Sequence, residues 1–157
     1  MNDIVFHPIG IIHTAFKQCA DTPAQGCLAK DARGTVEVFP QYTGGLSDIE
    51  GFSHLVLLYH FHQAEGFELR AKPLLDETRR GVFATRYYRR PNPIGMSIVE
   101  LISVSGNSLE VGWVDMLDGT PLLDIKPYVS RFDARKEVKD GWFTHASGLN
   151  TKLLSDK

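Results

Sequence analysis

A two-residue alternation runs from Phe52 to His62 and constrains the fold more than any other stretch of the chain. Leu55, Leu57, Tyr59 and Phe61 share one face, while His54, Val56, Leu58, His60 and His62 share the other. Side chains leave a β-strand with that period, so the segment is predicted as a strand with one face in a core. Shorter runs of the same kind recur at Ile4 to Phe16 (broken at Pro8 and Gly10), Thr35 to Phe39, Gly81 to Arg86, Met96 to Val104, Asn107 to Val114 and Leu122 to Ile125. Turns rich in Gly and Pro separate them, among them Ser105-Gly106-Asn107 and Asp118-Gly119-Thr120-Pro121. One helical turn is expected at Leu46 to Gly51 with Ser47 as its cap. A helical piece is expected around Ala134 to Lys139, inside a polar tail that begins near residue 130. Seven or so short strands without alternating long helices argue against a doubly wound sheet. They predict a mostly antiparallel β-barrel or strongly curved sheet.

At 157 residues the length fits one domain, and 43% hydrophobic with 23% charged residues is ordinary for a soluble protein. The longest apolar run, Leu55 to Leu58, is far too short to cross a bilayer. No export signal is legible in MNDIVFHPIG, and Cys19 and Cys27 are too few for a disulfide scaffold, so a reducing cytoplasm is expected. Both cysteines fall in Lys17 to Gly34, an aperiodic stretch that reads as a long loop.

Charge is distributed unevenly. Arg79, Arg80, Arg86, Arg89 and Arg90 crowd together, and no Asp or Glu occurs from Thr78 to Val99. The remainder holds twelve basic residues against nineteen acidic ones, so it is about seven charges negative in a chain of net charge −2. Phe83, Tyr87 and Tyr88 sit among the arginines. Arginine beside exposed aromatics holds phosphates and stacks on unpaired bases. The same guanidinium forks onto a small carboxylate ligand, and a solvated basic surface loop is the plain alternative.

His60 and His62, two apart in a strand, project from one face about 6 to 7 Å apart, which opens a two-ligand metal site that nothing else in the sequence completes. Asp115 and Asp118 flank Met116-Leu117. Asp124 and Lys126 share a strand face with Tyr128 next along it. Such a pair is a rim ion pair worth under about 1 kcal/mol, or a site where a carboxylate orients a cation and Lys or Tyr moves protons. No GxGxxG, Walker lysine or nucleophile elbow is present, so a Rossmann-type cofactor loop is excluded.

The run GVFATR…RPNPIGMSIVEL, with GFSHLVLLYHFHQ before it and DGTPLLDIKPY after it, resembles the TrmO (TsaA-like) family. The resemblance extends from about Ile4 to Gly141. It implies a small β-barrel and S-adenosylmethionine-dependent methylation of N6 of the threonylcarbamoyladenosine beside the tRNA anticodon. It also implies a homodimer with the cofactor near the subunit interface. Carried over by position, the cofactor site takes Pro23, Ala24 and Gln25 of the Pro23-Ala24-Gln25-Gly26 loop, His62 and Gln63, Arg86, the region from Met96 to Ile98, and Asp115, Met116, Leu117 and Asp118. Asp118, Asp124, Lys126 and Tyr128 are the candidates for proton transfer. Arg79, Arg80, Arg89 and Arg90 are the candidates for anticodon-loop phosphates, with Tyr87 or Tyr88 stacking a base; no metal is expected. Ala24 stands where many relatives carry Arg, Arg89 where bacterial relatives often carry an aromatic or other residue, and the chain resembles the short family members without a C-terminal domain. A cofactor-sensing or RNA-binding module on the same barrel is the alternative.

Overall fold

A computed structural model describes residues 3–73 and 76–145. Its strands are β1 (Gly10–Thr14), β2 (Arg33–Val38), β3 (His54–His60), β4 (Arg70–Ala71), β5 (Arg80–Gly81), β6 (Ile94–Ser105), β7 (Ser108–Gly112) and β8 (Thr120–Pro127), followed by the helix α1 (Ser130–Asp133). Six of them close into an antiparallel barrel in the order β1-β2-β7-β6-β3-β8, with β8 returning to β1. Closure leaves no strand edge unpaired, which is how a small all-β protein satisfies its backbone donors and acceptors. The expected mainly antiparallel barrel with short helices is the observed fold.

Alternation builds the core. Leu55, Leu57 and Tyr59 face inward from β3 and meet Ile12, Val36, Val38, Val99, Leu109, Val111 and Leu122 from the other strands. Most of these side chains are fully buried, and each removes roughly 1.5 to 3 kcal/mol of apolar surface from water. Two register shifts bend the wall, one opposite Leu58/Tyr59 in β8 and one at Leu101/Ser103 in β6.

The chain divides into two compact units, one of residues 1–63 and 93–128, the other of residues 64–92 and 129–157. The first is the barrel. It holds four basic and eleven acidic residues, a net charge of −7, whereas the second holds thirteen and eight, a net of +5. The second unit contains the two-stranded β4-β5 sheet, a 3-10 turn at Val82–Ala84, α1 and a 3-10 turn at Gly141–His145.

Several local expectations differ from the structure. Gly81 to Arg86 is a two-residue strand followed by a 3-10 turn, because Thr85 N–H turns back to the Val82 carbonyl at 3.1 Å. The helix after the barrel is Ser130–Asp133, upstream of the expected Ala134 to Lys139. The turn at Ile49–Gly51 starts from Asp48 with φ 65°, and Ser47 Oγ donates to the Gly44 carbonyl instead of capping it. The end of the polar tail lies outside the described residues. Among the described residues no helix is long and apolar enough to cross a membrane.

Candidate active site

The loop between β1 and β2 contains two single 3-10 turns, Cys19–Asp21 and Gly26–Leu28, and is docked on the barrel at Gly26. A Cβ at Gly26 would lie 1.8 Å from the Trp113 carbonyl oxygen, so only glycine lets these backbones meet. The approach aims the Gly26 N–H at Asp115 Oδ2, 2.8 Å away. Asp115 Oδ1 accepts from Ser97 Oγ at 2.5 Å. Ser97, 6% exposed, faces inward from β6, and its hydroxyl lies 3.0 Å from the phenol oxygen of Tyr59. Tyr59 pairs in register with Gly95, where a Cβ would fall 2.1 Å from the aromatic ring. The missing side chain is the space in which the phenol lies. Pro23, Ala24 and Gln25 immediately precede the docked glycine and are half-buried.

The turn after Asp115 is equally well tied. Met116 is buried, and Leu117 presents its carbonyl to Thr120 Oγ1 at 2.7 Å. Asp118 accepts the Thr14 N–H at 3.1 Å and Lys17 Nζ at 2.5 Å, with His13 Nδ1 3.6 Å away. The Lys17 hydrogen bond first, then the Thr14 amide, hold this carboxyl below its usual 3.8. A carboxylate engaged in this way is an anchored anion and a weak base. His62, half-buried just past β3, lies with Nδ1 3.5 Å from Thr120 Oγ1. Burial lowers its pKa from 6.5, and the like charge of His60 lowers it further, so the imidazole is neutral at neutral pH. Gln63 follows it and is exposed. Among the described residues no group of three His, Cys, Asp or Glu side chains is arranged to hold a metal ion.

The outer wall carries the other barrel candidates. Register places Asp124, Leu58 and Met96 in one cross-strand row, and Lys126, Val56 and Ile98 in the next. At about 4.8 Å per strand, the Asp124–Lys126 pair sits roughly 10 Å across β3 from Met96 and Ile98. Met96 is 48% exposed, an unusual position for so apolar a side chain. Lys126 Nζ and Asp124 Oδ2 are 2.7 Å apart on the open surface. Tyr128 hangs from the same wall, its N–H on the His54 carbonyl at 3.0 Å and its ring edge-on to His54.

In the second unit Arg79, Arg80, Arg89 and Arg90 are already partnered. Arg90 Nη1 donates to the carbonyls of Thr85 (3.0 Å) and Tyr87 (3.2 Å) and reaches that of Val82 at 3.5 Å, bracketing exposed Arg86. Arg80 holds Asp76 through two nitrogens and lies over the Trp142 ring. Arg79 and Arg89 flank Glu68 at 3.0 and 3.6 Å, and Arg79 also caps the Arg70 carbonyl. Tyr87 and Tyr88 pack on each other, centroids 4.7 Å apart. Phe83 is instead the open aromatic, 78% exposed at the tip of the turn that Arg90 clamps.

Sequence reasoning named Asp115, the loop through Gly26 and the segment that holds Ser97, but not the hydrogen bonds that join them, and it left Tyr59 out of the site. A signal existed: Gly95 inside a strand opposite an aromatic marks a close approach. Lys17 and His13, which hold Asp118, left no signal, because nothing in their spacing points 101 and 105 positions ahead.

The fold and site define a small closed antiparallel barrel whose long loop is docked by a glycine onto a half-buried carboxylate. The family model for the tRNA-methyltransferase O N-terminal domain matches residues 11–134, and the chain belongs to that family. It is 56% identical over 139 residues, 88% of this chain and 76% of the relative, to a probable S-adenosyl-L-methionine-binding protein of Pyrococcus abyssi. With the tRNA (adenine(37)-N6)-methyltransferase of Escherichia coli it shares 40% identity over 139 residues, covering 82% of this chain and 59% of that one. The crystal structure of TrmO from Pseudomonas aeruginosa superposes with a TM-score of 0.78 at 40% identity, over 89% of this chain and 62% of that one. The chain thus spans about three fifths of these two longer relatives.

Proposed function

We propose that this protein is an S-adenosylmethionine-dependent methyltransferase acting on N6 of an adenosine in tRNA. The threonylcarbamoyladenosine beside the anticodon is the nucleoside we expect it to modify. One observation carries this reading. Two segments assigned to the cofactor, residues 23–25 and 115–118, meet through the Gly26 N–H and Asp115, 89 positions apart. The residues present suit the ligand's chemistry. Within the barrel the Asp115 to Asp118 turn offers carbonyls and negative charge for its ammonium, and Met96 and Ile98 offer apolar surface for adenine; the resemblance adds Arg86, whose guanidinium is the residue type that forks onto a carboxylate.

When bound, S-adenosylmethionine supplies an electrophilic methyl group on a sulfonium, so the protein's task is alignment and removal of one proton. Asp118 is too firmly held to take that proton. Asp124 is the acceptor we favour: it lies on the same wall as Met96, with Lys126 Nζ 2.7 Å from its Oδ2. Tyr128 stands next along the strand. Asp118 then fixes its turn, and neutral His62 with Gln63 lines the cofactor. The positive unit is the RNA-facing part, with Arg79, Arg80 and Arg89 adding to its field and Arg90 shaping its surface. A cytoplasmic homodimer with the cofactor near its interface completes the proposal. A binding module without catalysis is the second reading, favoured by the binding-protein description of the Pyrococcus relative.

Calorimetric titration with S-adenosylhomocysteine separates cofactor binding from its absence. Saturable binding by the wild type, lost in Arg86→Ala, is expected. Folded protein that takes up no ligand would refute the cofactor site.

A further inference from the structure

We propose that Tyr59 and Ser97 are positioning residues that set Asp115 to hold the Pro23-Ala24-Gln25 loop in its ligand-binding position through the Gly26 amide. The inference deepens the reading above and rests on it.

Hydrogen counting gives the array its direction. Ser97 has one hydroxyl hydrogen, and the 2.5 Å contact to the Asp115 carboxylate uses it. At the 3.0 Å contact on its other side Ser97 therefore accepts, and the phenol of Tyr59 donates. The order is phenol to hydroxyl to carboxylate, and each donation strengthens the next. Asp115 Oδ2 then takes the Gly26 N–H. Through Asp115 Oδ2 the array reaches a backbone group, and so it bears on the path of a loop.

Stability alone gives no reason for it. Apart from Thr120 at the start of β8, the other buried barrel side chains among the described residues are apolar, with Leu55, Leu57, Val99 and Val111 fully buried. A phenol and a hydroxyl placed there carry a desolvation cost that an apolar side chain would avoid. Two glycines are also committed to the arrangement, Gly95 to admit the ring and Gly26 to pass the Trp113 carbonyl. What is gained is the placement of the three residues that precede Gly26.

The test uses Ser97→Ala, Ser97→Thr and Tyr59→Phe, read by S-adenosylhomocysteine titration and by hydrogen exchange of the Gly26 amide. Ser97→Ala is expected to raise the dissociation constant about tenfold and Tyr59→Phe about threefold, the sizes for losing a charge-assisted and a neutral hydrogen bond. Gly26 exchange accelerates in both variants while the amide of Leu57 stays protected, and Ser97→Thr restores affinity. In an Asp115→Ala background Ser97→Ala adds nothing further. Unchanged affinity in both folded variants, or unchanged Gly26 exchange, overturns the proposal. If Ser97→Ala does not fold, Tyr59→Phe decides the question alone, since it removes one oxygen and keeps the ring. Wild-type protein that binds no ligand refutes the cofactor reading instead, and the Gly26 exchange rates then decide whether the array holds the loop at all.

Discussion

Gly95→Ala is the substitution whose cost the structure fixes most directly. The new Cβ would fall 2.1 Å from Tyr59 Cε2 and 2.4 Å from Cζ, inside a core where Tyr59 is 4% exposed. The ring has to move, and moving it parts the phenol from Ser97. Overpacking costs about 1 to 3 kcal/mol, and a buried hydroxyl left without its partner about 1 to 3 more. A loss of about 2 to 6 kcal/mol follows, which for a chain of this size lowers Tm by roughly 4 to 24 °C. Calorimetric melting and urea titration measure it. The control is the same change in a Tyr59→Val background, where no ring stands in the way and the cost falls to under about 1 kcal/mol. Equal losses in both backgrounds would refute the account of why a glycine stands in this strand.

Arg90→Ala removes the clamp on the Val82, Thr85 and Tyr87 carbonyls; fast amide exchange through residues 82–87 is expected, at a cost of about 1 to 3 kcal/mol, with β3 amides unchanged. Because folding lowers the pKa of His62, its stabilising contribution is complete above 6.5, the unfolded value, and is lost as pH falls through the folded value. His62→Gln should flatten the pH dependence of Tm in that window. The lowered pKa of Asp118 gives a second stabilising contribution, present above 3.8 and lost as pH falls below it, and Lys17→Met should shrink it. Lys126→Met, at an exposed ion pair worth under about 1 kcal/mol, is expected to leave Tm nearly unchanged and lower the rate of methyl transfer; an unaltered rate would remove Asp124 and Lys126 from the chemistry.

Much of the barrel was legible because alternation is a local property. Leu55, Leu57 and Tyr59 are buried where expected and Phe61 is half-buried; Gly106-Asn107 and Asp118-Gly119 fall between strands, while Ser105, Thr120 and Pro121 already belong to β6 and β8. The 3-10 turn after Gly81 was not legible, since Val82 to Ala84 is as β-prone as any strand and its turn is made by Thr85, with Arg90 supplying the clamp. The arginines show the same limit. Their clustering was visible, but Glu68 and Asp76, which hold three of them, lie outside the acid-free stretch and face it only after folding. For the candidate site, the resemblance supplied segments and the fold supplied their connection. Ser97 lay inside a segment taken from the resemblance, and only the fold shows it facing inward while its neighbours Met96 and Ile98 are exposed.

The most direct measurement incubates the purified protein with S-adenosylmethionine and tRNA that carries threonylcarbamoyladenosine not yet methylated at N6, then digests the RNA and identifies its nucleosides by mass spectrometry. An N6-methylated adenosine derivative, formed only when protein and cofactor are both present and reduced in Arg86→Ala, is the predicted result. Protein that binds S-adenosylhomocysteine and tRNA yet yields no methylated nucleoside would contradict the account and leave a binding module in its place.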